Sequence, residues 1–283
     1  MSDFILTDEN YYSDEANRLF CSASQYKDFF GCPIIPGCPA RAMATINGEY
    51  ETETTKAMLI GSILDALWEG ARSEELAERF PECVSTRGAT KGELKAEFKH
   101  AIQLYERTYK DEKFRAYMSG EKQTIMTGEI GGLPFKIKMD SFVDGKAIVD
   151  LKTTENADPD FRIYIKDSGE RLPFYLAWGY HTQLAIYREI VRQNTGDTLA
   201  CYIAAVDKKP HPKPILINME SKLLDNELES IKRSAKGIID FKCGAREAYR
   251  CERDGCDFCR DSYECTVIST SEFEAHDIER GAI

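Results

Sequence analysis

Two aspartates and a lysine carry the first chemistry in this chain: Asp140, and Asp150 with Lys152 in the run Asp150-Leu151-Lys152-Thr153-Thr154. Side chains two apart on a strand share a face, so Asp150 and Lys152 point the same way if the run is extended. Carboxylates beside an ammonium, at the ends of apolar runs, suit a hard divalent cation and a phosphate. Magnesium takes one or two carboxylates, keeps several waters and leaves room for phosphate oxygens. Some thirty residues on, Gln183 and Tyr187 stand four apart, so on a helix an amide and a phenol share one side. A lone Asp-x-Lys is common by chance and reads most simply as the solvated face of a surface hairpin. The ordered set of carboxylate, Asp-x-Lys and helical Gln/Tyr is what points to a site.

The elements that must position these groups follow from pattern. Residues 133–154, LPFKIKMDSFVDGKAIVDLKTT, read as two strands joined by Asp144-Gly145, because Asp-Gly supplies the positive φ that a tight hairpin demands. Phe135, Ile137 and Met139 alternate with Lys136, Lys138 and Asp140, the period of a half-buried strand, and 147–152 forms the second strand. Residues 175–194 read as the helix carrying Gln183 and Tyr187, 199–206 and 214–219 as two further strands, and 220–242 as a long helix. Upstream, a capping serine precedes Tyr26, Phe29 and Phe30, a second helix starts at 40–45, and 57–68 is a buried helix whose Gly61 and Ser62 permit close packing. Residues 71–120 read as two exposed helices around a flexible loop at 86–92. The pattern predicts an α/β fold: a mixed central sheet from the hairpin and the two later strands, flanked by helices. An acidic segment (1–20) precedes this single domain (21–250), and a cysteine-rich tail (251–283) follows it.

Composition narrows the function classes. The 283 residues are 42% hydrophobic and 30% charged, as in a soluble globular protein, and no apolar run approaches the length of a membrane span. The acidic N-terminus has no basic-then-apolar leader, which places the protein in the cytoplasm. A net charge of −11 argues against coating nucleic acid through a global positive field. Local basic pairs remain candidates for tracking a phosphate backbone: Lys136 with Lys138, Arg162 with Lys166, and Lys208 with Lys209, each read first as a solvated face. The ten cysteines of a cytoplasmic chain are thiols or metal ligands rather than a disulfide framework. Cys201, inside an apolar run, is a core residue; Cys32 and Cys38 group near the front and Cys251, Cys256, Cys259 and Cys265 near the end.

Taken in order, Glu129, Lys138-Met139-Asp140, Asp150-Leu151-Lys152-Thr153-Thr154 and Gln183-Leu184-Ala185-Ile186-Tyr187 resemble the acidic, G-x-x-D, D-x-K-T and Q-x-x-x-Y elements of the PD-(D/E)xK nuclease superfamily. Within it, they are most similar to the RecE-like and RecB-like exonucleases of phages and recombination systems. The resemblance implies a restriction-endonuclease-like fold and a metal-dependent DNA exonuclease that binds linear DNA at its ends. It leaves room for an oligomer and for a recombination partner such as a single-strand annealing protein. It also implies that Asp140, Asp150 and the Leu151 carbonyl ligate Mg2+ or Mn2+, with Glu129 supporting the metal or its waters. Lys152 would orient and help deprotonate the attacking water or stabilise transition-state charge; Gln183 would position water or a metal-linked carboxylate, and Tyr187 the DNA backbone or its own helix. Gly61-Ser-Ile-Leu-Asp65 stands where many RecB-like enzymes have G-x-x-x-H with a metal-ligating histidine. An aspartate is at least as good a magnesium ligand, so Asp65 is either a ligand or a helix-bundle ion-pair partner.

The cysteines carry a second resemblance. Cys256-x2-Cys259-x5-Cys265 is similar to the iron–sulfur staple of one group of RecB-like nucleases, in which a fourth cysteine near the N-terminus completes a [4Fe–4S] site. Cys38, in Cys-Pro-Ala-Arg-Ala, is preferred over Cys32 as that ligand, and the tail would then pack on the N-terminal Cys-Pro segment. Zinc would use the same sulfurs, with Cys251 replacing the N-terminal one, and free thiols in a disordered tail are the plainest alternative. Two functions of other classes stay open: a catalytically silent DNA-binding relative, and a zinc-bearing interaction module.

Overall fold

The computed structural model of the chain describes residues 4–270 apart from 254, 262, 264, 266 and 268. At its centre lies β6 (Ala147–Thr154), paired antiparallel with β5 (Ser141–Val143) and parallel with β9 (Ala200–Asp207), which pairs antiparallel with β10 (Pro214–Met219). The mixed sheet therefore runs β10-β9-β6-β5. A central strand with a parallel neighbour is covered on both faces, which explains why the first five residues of β6 are all buried. Alternate residues serve opposite layers: Ile148 joins the cluster with Leu184, Ile203 and Ile231, whereas Val149 and Leu151 join Leu64, Trp68, Leu104 and Phe114.

Ahead of β5 the chain makes a second hairpin, β3 (Thr124–Ile130) and β4 (Leu133–Met139), turned by Gly131 and Gly132 at φ +61 and +81. The stretch 133–154 is thus not one continuous hairpin. Its Asp144-Gly145 turn joins β5 to β6 as expected, but β4 ladders with β3, and Asp140 is the residue at which the chain passes from one ladder to the other. The same register corrects Glu129. Thr124 faces Met139 beside Asp140, while Glu129 faces Pro134 at the far, turn end. At about 3.4 Å per residue, that separates it from Asp140 by some five strand positions, or about 17 Å.

The N-terminal part is helical: α1 (Asp14–Leu19), α2 (Ala23–Phe30), the two-residue strands β1 (Gly31–Cys32) and β2 (Ile35–Pro36), and α3 (Pro39–Ile46). Ser22 caps α2, its hydroxyl oxygen accepting from the Gln25 N–H at 3.1 Å. Lys136, a candidate phosphate contact by sequence, is buried here instead; its ammonium donates to the Tyr11 carbonyl and to Asn17 Oδ1. Next come α4 (Lys56–Trp68), α5 (Ser73–Arg79), α6 (Ala96–Lys110) and α7 (Glu112–Tyr117). These are not merely exposed helices. Phe98, Ala101 and Leu104 of α6 pack on α4, and the Phe114 ring of α7 lies tilted against Trp68.

After β6 come the small hairpin β7 (Ile163–Tyr164) and β8 (Arg171–Leu172), then α8 (Phe174–Ala177) and α9 (Tyr180–Thr195). The helix expected over 175–194 is broken at Gly179, which adopts φ +64. A Cβ there would also stand 3.1 Å from Cys32 Cβ and 3.3 Å from Lys27 Cδ, so the close approach of α2 and β1 requires glycine. The long α10 (Ser221–Lys242) buries Leu224, Ile231, Ala235, Ile238 and Phe241 down one side, and α11 (Asp257–Asp261) closes the described chain. Among the described residues no helix is long and apolar enough to cross a membrane.

Candidate active site

β6 presents Asp150 and Lys152 on one face, with Lys152 Nζ 2.6 Å from Asp150 Oδ2. The contact is an ion pair rather than an aimed hydrogen bond, since this buried oxygen has no hydrogen-bond partner. Lys152 Nζ donates to the Leu151 carbonyl at 3.1 Å. The other Asp150 oxygen accepts from Gln183 Nε2 at 2.7 Å, and the same amide nitrogen lies 3.1 Å from Tyr187 Oη. Tyr187 in turn donates to the Lys138 carbonyl at 3.0 Å, so one face of α9 fixes both the Asp-x-Lys strand and the end of β4. At the bend between the two ladders, Asp140 Oδ2 accepts from the Leu151 N–H at 2.7 Å.

The electrostatics show what this arrangement lacks. Burial, then the nearby Asp150 charge, pushes the Asp140 carboxyl up to about 7. Asp65 on α4 is raised well above the carboxylate range by burial and by Asp140. Burial opposes the Lys152 charge, but Asp150 and Asp140 outweigh it and hold the ammonium above the ordinary lysine range. Carboxylates that repel one another are a donor set for a hard divalent cation, and one or two carboxylates with a carbonyl and waters suit magnesium or manganese. Asp140, Asp150, the Leu151 carbonyl and Asp65 could supply those oxygens. Among the described residues no three carboxylates converge within 4.8 Å, so Asp65, Asp140 and Asp150 do not form a closed three-carboxylate site.

Several neighbours carried no signal in the sequence pattern. Trp68 of α4 and Glu69 at its C-terminal end line a cleft with the expected Asp65 and with Met118, Gln123, Asp140 and Leu151. Glu69 lies one helical turn past Asp65, the spacing that could have found it. Trp68 Nε1 is a buried donor without a partner, and Gln123 takes a left-handed φ of 54, rare for a residue with a Cβ. On the other side, the Tyr180 ring lies under Lys152 at 5.3 Å and Lys27 at 5.6 Å. The Lys27 ammonium is depressed by burial and then by Lys152. Lys138 pairs with Asp8 at 2.9 Å and stands over Tyr12, whose ring is 73% exposed. Glu129 is exposed and takes no part in this cluster; Gln193 holds its backbone at the other end of the hairpin.

Comparison with known proteins shows the family. Residues 22–262 match the family described as a PDDEXK-like domain of unknown function (DUF3799). The chain belongs to this PDDEXK-like family. A crystal structure from Eubacterium rectale described as "Putative exonuclease" is 40% identical, with a TM-score of 0.86, and the alignment covers 95% of this chain and 98% of that one. A second structure, SSO0001, is 11% identical over 69% of this chain and 81% of its own, with a TM-score of 0.28. No curated protein matches the chain.

A separate cluster lies at the chain's end. Cys38, Cys251, Cys256 and Cys259 bring their sulfurs within 4.8 Å of one another. Cys38 Sγ is 3.7 Å and Cys251 Sγ 3.8 Å from Cys259 Sγ, and all ten cysteines are free of disulfides. The structure brings three of the four expected ligands together; Cys265 is exposed and outside the group, and Cys251 stands in its place. Cys32 sits instead beside Gly179, near Lys27 and Tyr180. The part of the expected tail beyond 270 lies outside the described residues.

Proposed function

We propose that this protein is a metal-dependent DNA exonuclease, a phosphodiester hydrolase of the phage and recombination type. The observation that carries the reading is the Asp140–Leu151–Asp150–Lys152–Gln183 constellation, in which the half-buried Asp140 and the buried Asp150 act together on Lys152. When bound, Mg2+ or Mn2+ supplies positive charge to a phosphodiester anion and raises the acidity of a water. Asp140, Asp150, the Leu151 carbonyl and Asp65 are the groups to hold it. Lys152, kept as an ammonium, orients the attacking water and stabilises charge gathering on the phosphate oxygens. Gln183 keeps Asp150 in place, and Tyr187 keeps Gln183 and the β4 backbone in register. Lys27, partly exposed beside Lys152, is placed to meet a neighbouring phosphate, and the exposed Tyr12 ring offers a nucleobase a stacking face.

The test is incubation of purified protein with end-labelled linear and closed circular DNA, with magnesium or EDTA. Degradation of linear DNA alone, only with the metal, is the expected result. Cutting of closed circles would make the enzyme an endonuclease, and cleavage without any divalent metal would overturn the reading.

A further inference from the structure

The four-thiol cluster does not suit the iron–sulfur staple that its spacing resembles. In a [4Fe–4S] cluster each thiolate takes a different iron at a corner of the cube, which spreads the four sulfurs well apart. Here the sulfurs crowd together, all within 4.8 Å of one another and with two edges of 3.7 and 3.8 Å. A single tetrahedral ion with Zn–S bonds of about 2.3 Å has sulfur–sulfur edges of about 3.8 Å. The ligand set departs as well: C-x2-C-x5-C would need Cys265, which stands outside the group, whereas Cys251 is inside it.

The local backbone serves the same end. Glu252 takes a left-handed φ of 54, which turns the chain between Cys251 and Cys256. The Cys256 N–H donates to the Arg253 carbonyl and the Cys259 N–H to the Cys256 carbonyl, each at 3.0 Å, a turn that sets both thiols beside Cys251. A zinc site needs thiolates. Cys38 and Cys256 are fully buried, so thiolates there require a cation to be tolerated.

We propose that Cys38, Cys251, Cys256 and Cys259 bind one structural Zn2+ ion, with Cys265 outside the ligand set. All four tetrahedral positions are then filled by protein, which closes the site to substrate and makes it structural rather than catalytic. The ion ties α3 to the segment after α10 across more than two hundred residues of sequence. Beside it the Ala40 N–H donates to the Tyr249 carbonyl at 3.1 Å, and Tyr50 meets Phe258 edge-on. Metal binding there is folding free energy for the chain's two ends.

The experiment is metal analysis of the full-length protein purified both aerobically and anaerobically. The expected product is colourless, with a single zinc per chain and trace iron, and Co2+ exchange should give the visible bands of a tetrahedral thiolate site. Cys265→Ser should keep the zinc and the melting temperature. Cys251→Ser should lose the metal; because that variant could misfold, the wild-type stoichiometry and cobalt spectrum are read independently. A brown protein with iron and acid-labile sulfide would overturn the proposal. So would loss of metal in Cys265→Ser with retention in Cys251→Ser, or a metal-free chain lighter by the hydrogens of a disulfide. None of these readouts depends on DNA cleavage, so the site stands or falls apart from the nuclease reading.

Discussion

The carboxylate centre and the cysteine cluster are both candidate metal sites, but they are built in opposite ways. Every oxygen of Asp150 has a protein partner, Gln183 on one side and Lys152 on the other, and the strand that carries it is fixed by the core on both faces. That scaffold stands without an ion, which adds function rather than fold. Three of the four sulfurs rest on a short stretch after the last long helix and the fourth, Cys38, at the start of α3, and they lie against one another. There the ion is itself the cross-link. The difference teaches that metal removal should silence one region and loosen the other.

The largest effect expected is on activity at the first region. Asp140→Asn, Asp150→Asn and Lys152→Ala should each lower DNA cleavage by two to three orders of magnitude, the cost of about 2.7–4 kcal/mol typical for a group acting mainly in the transition state. Circular dichroism and melting should stay close to wild type. Near-normal turnover in any one variant removes that residue from the mechanism.

Chelation breaks the comparison in a second way. Mild EDTA should abolish cleavage at once and reversibly on adding magnesium, with little change in melting. A thiol-competing chelator that strips the cysteine site should instead lower the melting temperature and open the 245–261 segment to protease. Loss of structure under mild EDTA alone would assign the structural metal to the carboxylates and reverse the contrast.

How much of this was open to sequence reading depends on the range of the cause. Asp150, Lys152, Gln183 and Tyr187 are set by spacing within one strand and one helix, and local periodicity is enough to align them. Glu129 was misplaced because β3, Thr-Ile-Met-Thr-Gly-Glu-Ile, alternates too weakly to announce itself, and without its register the distance to Asp140 cannot be known. The break at Gly179 has its cause in Cys32 and Lys27, far upstream. Cys251 and Cys265 flank the Cys256-x2-Cys259 pair at similar distances, so spacing fits either, and only the fold brings Cys251 to Cys38.

Acidity sharpens the picture of the carboxylates. Asp140 is raised from 3.8 to about 7 in the folded chain. Between those values the native state holds a proton that the unfolded chain lacks, so its contribution to stability is complete below about 4 and is lost as pH rises through 7. Metal-free protein should therefore resist denaturant better at pH 5.5 than at pH 8, as far as this group is concerned. Saturating magnesium, which needs the ionised carboxylate, should shrink the difference, and metal affinity should fall below pH 7. Asp140→Asn should flatten the trend; an unchanged profile in that variant would place its cause elsewhere.

The smallest effect on activity is expected at Tyr187, where the two candidate roles, DNA contact and internal brace, predict different outcomes. The ring is buried, and its hydroxyl joins the Gln183 amide to the Lys138 carbonyl. Tyr187→Phe keeps the ring and deletes only the hydroxyl, leaving the half-buried Lys138 carbonyl without that donor. Such an unsatisfied group costs about 1–3 kcal/mol, so the variant should unfold at lower denaturant. Gln183 still donates to Asp150, so cleavage at saturating metal should fall less than tenfold and KM for DNA should stay put. A KM that rises several-fold with stability unchanged would instead make the phenol a DNA contact, and would require α9 to open toward substrate in a way its buried position opposes.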